Sequence, residues 1–308
     1  MKALVISGGG NKGAFAGGVA EYLIKTKKRN YDLLLGTSTG SLLISHLALG
    51  KVEKIKQVFT NVSQSSIFSS SPFILINEHS GLTRTKINHF NIVRMFMKGR
   101  KTLGESENLR KLIRNSLSRS DFSLLKDSGK EVVTTVANLT QHSVEYKSSN
   151  DFDYDAYCDW LWISANLVPY MSLVVKNGHE YADGGFGNFV PLKKAIEMGA
   201  TDIDAIILRT DRRVVNHLPA KNVLDLFLKL FGFMINQIAL DDIDLARMAG
   251  KSEKIKINFY FIPNELTDNP LIFRPKQMKK WWQEGYEYAS TEKPIVQDAR
   301  NMLFTLFG

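Results

Sequence analysis

Short apolar runs ending in glycine alternate along this chain with stretches whose apolar residues recur at helical spacing. Residues 2–6, Lys-Ala-Leu-Val-Ile, predict a short buried strand. A glycine cluster follows, and residues 14–23 then carry the apolar spacing of a helix. The same order repeats, with an apolar run at 31–35, a second glycine-containing turn, and an apolar helix over 42–49. Residues 51–61 and 105–118 also read as helices, and the β-branched run 131–139 reads as a strand that pairs with 143–148. Further on, a helix over 192–199 leads into a strand at 203–208, and another strand is expected at 256–262. Strands alternating with helices predict an α/β protein with a mixed, largely parallel sheet and helices on both faces.

Both turns between strand and helix can carry chemistry. Gly36-Thr37-Ser38-Thr39-Gly40 is a Gly-x-Ser-x-Gly turn. Its glycines let strand and helix nearly touch, and the turn lifts the serine hydroxyl above a helix N-terminus, as in a nucleophile elbow. The earlier cluster, Gly8-Gly9-Gly10-Asn11-Lys12-Gly13, leaves several backbone N–H groups pointing one way. Such a nest holds an anion, either a phosphate or the oxyanion of an acyl-transfer intermediate. Residues 8–13 also satisfy Gly-x-Gly-x-x-Gly, but a dinucleotide site expects a carboxylate at the end of the second strand. Here that strand ends in Gly36-Thr37-Ser38, and the basic group Lys25 to Arg29 precedes it.

With a third element, Asp183-Gly184-Gly185, the chain resembles the patatin-like phospholipases. Lesser landmarks agree: the segment 162–169 ending in Pro169, then Asn188, Pro191 and the helix over 192–199. The resemblance spans roughly residues 1–210. It departs from the family where Ser7 and Lys12 replace the usual Asp and Arg around the glycines, and lysine keeps the charge without the planar fork. The resemblance implies a three-layer fold and a serine–aspartate dyad, with Ser38 as nucleophile and Asp183 as base. Gly8, Gly9, Gly10 and Asn11 would supply the oxyanion hole. Lys12, Gly13, Gly36, Gly40, Gly184 and Gly185 would support the motifs. It also implies hydrolysis of a membrane phospholipid or lysophospholipid, with no metal or organic cofactor. Neutral lipid hydrolysis and acyl transfer use the same site, and a silent lipid-binding module is the reading from another class.

None of the six histidines (His46, His79, His89, His142, His179, His217) sits in a triad context. His179 would share a strand face with Asp183, so it is either a helper or a plain sheet-edge residue. Asp151, Asp153 and Asp155 suggest a calcium loop, but Ala156 and Trp162 stand where that loop needs Gly and Glu.

The 308 residues can fill one large domain or two small ones, but no proline- or serine-rich linker divides them, the serine-rich stretch 63–71 being short. A unit spanning 1–308 is expected, its motif-bearing core at about 1–210 and residues 211–308 packed on or capping it. The single cysteine, Cys158, leaves no internal disulfide and points to a reducing, cytoplasmic setting. No apolar stretch is long enough to span a bilayer, and the apolar start is too short for a signal peptide.

A net charge of +9 favours anionic surfaces, and without a reader motif a lipid surface is expected rather than nucleic acid. Basic residues cluster at 25–29, 98–101 and 276–280. The last group adjoins Trp281, Trp282, Tyr286 and Tyr288, which either meet a membrane or pack on the body. Residues 223–238 form a helix with so wide an apolar face that it is either buried, the expected case, or covers an acyl channel.

Overall fold

In a computed structural model, residues 1–77, 83–211, 220, 223–252, 255–267 and 269–298 are described. In chain order the strands are β1 (Lys2–Ile6), β2 (Leu33–Thr37), β3 (Phe73–Asn77), β4 (Thr83–Ile87), β5 (Glu131–Asn138) and β6 (Ser143–Ser148). They continue as β7 (Val174–Lys176), β8 (His179–Asp183), β9 (Asp202–Ile207), β10 (Lys256–Phe261) and β11 (Ile295–Asp298). The helices are α1 (Gly13–Glu21), α2 (Thr39–Ala48), α3 (Val52–Asn61), α4 (Gln64–Ile67), α5 (His89–Met97) and α6 (Glu107–Ser116). They continue as α7 (Arg119–Asp127), α8 (Tyr154–Ser164), α9 (Leu192–Glu197), α10 (Val223–Ser252) and α11 (Pro275–Thr291).

Among the described residues, nine strands form the main sheet. Strands β10, β9, β1, β2 and β5 run parallel in that spatial order, with antiparallel β11 at one edge and β6, β7 and β8 toward the other. The runs Leu4 to Ile6 and Leu33 to Leu35 are fully buried because helices cover both faces. One apolar cluster joins Leu4, Phe15, Leu34, Leu43 and Trp282, and the other joins Val5, Leu35, Ile207 and Phe259. The three-layer α/β expectation is met.

The register places the ends of two strands against each other. Strand β6 pairs with Val133 to Asn138 along one edge of β5. On the opposite edge β2 runs parallel as far as Thr37↔Thr135, and β8 enters antiparallel at Asp183↔Val136. Strands β2 and β8 therefore meet end to end on a shared template, which brings residue 38 beside residue 183. The antiparallel entry of β8 supplies this juxtaposition.

The C-terminal part contributes to the same layers. β10 extends the sheet beside β9, and α11 lies on α1 through small residues. A Cβ at Gly18 would stand 1.9 Å from the Trp282 carbonyl oxygen, and one at Gly285 2.1 Å from that of Phe15. Trp281 and Trp282 are buried, and the Trp282 indole N–H donates to Glu21 at 2.6 Å. The aromatics of α11 thus pack on the body, and the membrane-facing reading of those tryptophans is set aside.

Other expectations need correction. The half of α10 that carries the apolar face is not buried, since Leu226, Phe227, Leu230, Phe233 and Met234 are all exposed. Residues 105–118 hold one helix and the start of a second, because Ser118 caps α7 and accepts from the Asp121 N–H. Within the acidic run 151–155, Asp153 caps α8 and accepts from the Ala156 N–H. None of the described helices is long and apolar enough to cross a membrane.

Candidate active site

Ser38 occupies the turn between β2 and α2 with φ 55° and ψ −122°, a conformation that L-residues rarely adopt. The surroundings enforce it. A Cβ at Gly36 would lie 2.5 Å from Gly40 backbone, and one at Gly40 2.3 Å from the Ile6 carbonyl oxygen. The Ser38 N–H donates to Ser164 Oγ at 3.0 Å, and that hydroxyl donates onward to the Thr135 carbonyl at 2.7 Å. Thr37 Oγ1 donates to the Asn188 carbonyl at 3.0 Å. The elbow is held from β5, from the end of α8 and from the loop after β8.

Ser38 Oγ donates to Asp183 Oδ2 at 2.6 Å. The other carboxylate oxygen accepts from the Gly185 N–H at 2.8 Å. Burial of Asp183 pushes its pKa up to about 7, while the Ser38 hydroxyl and the Gly185 N–H pull it down. A carboxyl that titrates there can take and return a proton near neutral pH. Gly184 packs on β5, where a Cβ would come 2.3 Å from the Thr135 oxygen.

The glycine-rich loop follows β1. Gly10 has φ +58°, and a Cβ there would strike Pro270. Two of the four expected oxyanion donors are already engaged: the Gly8 N–H donates to the Phe189 carbonyl at 3.0 Å and the Asn11 N–H to the Pro270 carbonyl at 2.9 Å. The Asn11 side chain also ties to Asn269 and Ile272. Among the described residues, only the N–H groups of Gly9 and Gly10 remain without a partner in this set. Lys12 pairs with Glu265 at 3.1 Å, and a Cβ at Gly13 would meet Thr39, so the start of α1 presses on α2.

Gly9, Gly10, Lys12, Ser38, Asp183 and Gly185 all line one cavity of about 1200 Å³. Much of its wall is apolar, including Phe59, Ile67, Leu112, Leu161 and Met171. His46 also lines it, roughly 12 Å along α2 from Ser38. Burial lowers its pKa, and Nε2 lies 3.1 Å from the Ser116 carbonyl. His179 sits at the β7–β8 edge against the Tyr181 ring and does not line the cavity. His89 begins α5 and His142 lies in the β5–β6 turn. His79 and His217 fall outside the described residues.

Three supports had no signal as site residues in the sequence. Asp242, on α10, accepts from Asn188 Nδ2 at 2.6 Å and from the Val190 N–H at 2.8 Å, clamping the loop after Asp183. Burial pushes its pKa up to about 6. Phe189 wedges between the two motif loops, and a Cβ at Gly8 would lie 2.6 Å from its ring. Ser164 falls within the 162–169 landmark, but its bridge from Ser38 to Thr135 depends on how α8 ends.

The sequence model described as patatin-like phospholipase matches residues 4–196, or 193 of the 308. A curated relative, the uncharacterized protein YjjU of Escherichia coli K12, is 24% identical over 217 residues. That match takes in 68% of this chain and 51% of YjjU, so the chain spans about half the length of that relative. Among solved structures, VipD from Legionella pneumophila superposes with a TM-score of 0.52 at 15% identity. The superposition covers 96% of this chain and 68% of VipD, a likeness of fold.

Proposed function

The chain belongs to the patatin-like phospholipase family, and from that premise we propose that it hydrolyses acyl esters of membrane glycerophospholipids or lysophospholipids through Ser38 and Asp183. The observation that carries this reading is the 2.6 Å hydrogen bond from Ser38 to a buried carboxylate in a cavity whose lining is mostly apolar.

A serine hydroxyl attacks poorly unless a base takes its proton during the step. In this reading Asp183 Oδ2 accepts that proton as Ser38 Oγ bonds to the ester carbonyl carbon. The carbonyl oxygen becomes an oxyanion, met by the N–H groups of Gly9 and Gly10. The tetrahedral intermediate collapses, the leaving alcohol takes the proton from Asp183, and an acyl-Ser38 ester remains. Water then gives a proton to Asp183 as it attacks the acyl carbon, and Ser38 recovers its proton when the fatty acid departs. The apolar walls hold the acyl chain and exclude water. Exclusion of water favours burial-raised basicity in Asp183, so one feature serves both binding and catalysis.

The test is the pair Ser38→Ala and Asp183→Asn, assayed on phospholipid vesicles. Each is expected to lower hydrolysis on the order of 10³-fold or more with the fold retained. Near wild-type rates in either folded variant would remove the dyad.

A further inference from the structure

Helix α5 is apolar on two opposite faces. Met95 points inward and Ile92 lines the cavity, so this side is accounted for. The other side carries Phe90 at 77% exposure, Val93 at 55%, Phe96 at 60% and Met97 at 83%, a stripe at helical spacing. A face of that kind has no role in packing the helix onto its own body. The segment 83–101 around it contains Arg84, Lys86, Arg94, Lys98, Arg100 and Lys101 and no carboxylate at all.

The exposed face of α10 borders the same cavity. Phe233 is 63% exposed and also forms part of the cavity wall. A chain of rings joins β3, the strand that α5 is tied to, with α10. Phe73 on β3 stacks on Tyr170 with centroids 6.0 Å apart, and Tyr170 meets Phe231 on α10 at 6.2 Å. Helix α5 is tied to that strand's approach, with the Asn88 N–H donating to the Pro72 carbonyl and Asn91 Nδ2 to that of Ser71. The cavity is thus flanked by two helices that each show large apolar side chains to solvent.

We propose that α5 and the exposed half of α10 form a docking face that seats the cavity mouth on an anionic lipid bilayer. The proposal rests on the lipid-hydrolase reading for its purpose. Its occupant is chosen by charge: a basic segment without carboxylates and a stripe of aromatics is the composition that lies in a headgroup boundary. The other basic clusters do not share this placement. Arg29 is held by Asp202 and Asp204 at the opposite ends of the parallel strands, and the 276–280 group lies on α11 against α1. In the α5 segment, Arg100 pairs with Glu105 and Lys101 with Glu180, while Lys98 stands exposed beside the apolar stripe. With the mouth seated, an acyl chain passes from bilayer to apolar wall at Phe233 without crossing water, which removes a hydration barrier from substrate entry.

The test uses the Ser38→Ala protein, which leaves lipid intact, and co-sedimentation with phosphatidylcholine vesicles with or without phosphatidylserine. The expected result is binding to the phosphatidylserine vesicles. Adding Phe90→Ser and Phe96→Ser together should weaken it on the order of tenfold or more, and Lys98→Glu should weaken it severalfold. None of these three side chains lines the cavity. In the otherwise wild-type protein, the double variant should hydrolyse a short water-soluble ester at a rate within about twofold of wild type. No binding, or equal binding by the double variant, overturns the proposal. So does a dimer that the double variant abolishes, since a second copy would then cover the face. If wild type hydrolyses no ester while vesicle binding persists, the hydrolase reading fails and the docking face stands.

Discussion

At the scale of single residues, the proposed mechanism turns on Asp183. Its carboxyl titrates near 7 in the folded protein, against about 3.9 for an unfolded aspartate. As the proposed base, Asp183 must be ionised to work, so kcat/KM on a soluble ester should rise with pH through about 7 to a plateau. The same shift has a stability cost of known sign. A group with a raised folded pKa contributes most below its unfolded value and loses that contribution as pH rises through the folded value. Asp183→Asn should therefore melt higher than wild type above pH 7, by on the order of 2–4 kcal/mol, with the difference vanishing near pH 4. Thermal melts across that range check it, and a gain constant with pH would contradict it. Ser164→Ala removes the acceptor for the buried Ser38 N–H. It should cost about 1–3 kcal/mol, with a larger relative fall in kcat than in substrate affinity.

At the scale of elements, the molecule depends on close approach. Gly18→Ala would drive α1 off the Trp282 backbone. It should destabilise by about 1–3 kcal/mol or more, read as a lowered denaturant midpoint. Buried strands and glycine turns were readable in the sequence because a parallel strand buried on both faces is a continuous apolar run. The junctions of Ile6 with the glycine loop and of β2 with Ser38 were readable for the same reason. The end-to-end meeting of β2 and β8 was not, since it arises from the pairing of β5 with three partners. The resemblance implied Gly8 and Asn11 as oxyanion donors, yet their N–H groups are taken by Phe189 and Pro270, contacts 181 and 259 positions away. The hairpin β3–β4 and the edge strands β7 and β11 are short or polar and carry no periodic signal long enough to stand out. The face of α10 misled because apolar width reports that something covers a helix, without saying that the cover is the protein's own core.

At the scale of the whole molecule, we propose that residues 1–308 fold as one unit. Strand β10 closes the edge of β9, and α11 covers α1, so a chain cut after residue 210 would bare both. Such a truncation should be insoluble or lack a cooperative melt, whereas soluble, cooperative folding of the shortened chain would contradict the proposal. The cavity, at about 1200 Å³, exceeds the roughly 300–1,000 Å³ typical of small-molecule sites. Across a series of soluble esters, kcat/KM should climb by up to roughly fourfold per added methylene until the walls are filled. Met171→Trp, which narrows the cavity, should shorten the preferred chain.

The proposed nucleophile can be observed directly. Treatment with a fluorophosphonate, followed by peptide mass analysis, should place the covalent adduct on Ser38, with a labelling rate that rises through about pH 7 and collapses in Asp183→Asn. Folded wild-type protein that stays unlabelled, or that carries its adduct on another residue, would contradict the account at its centre.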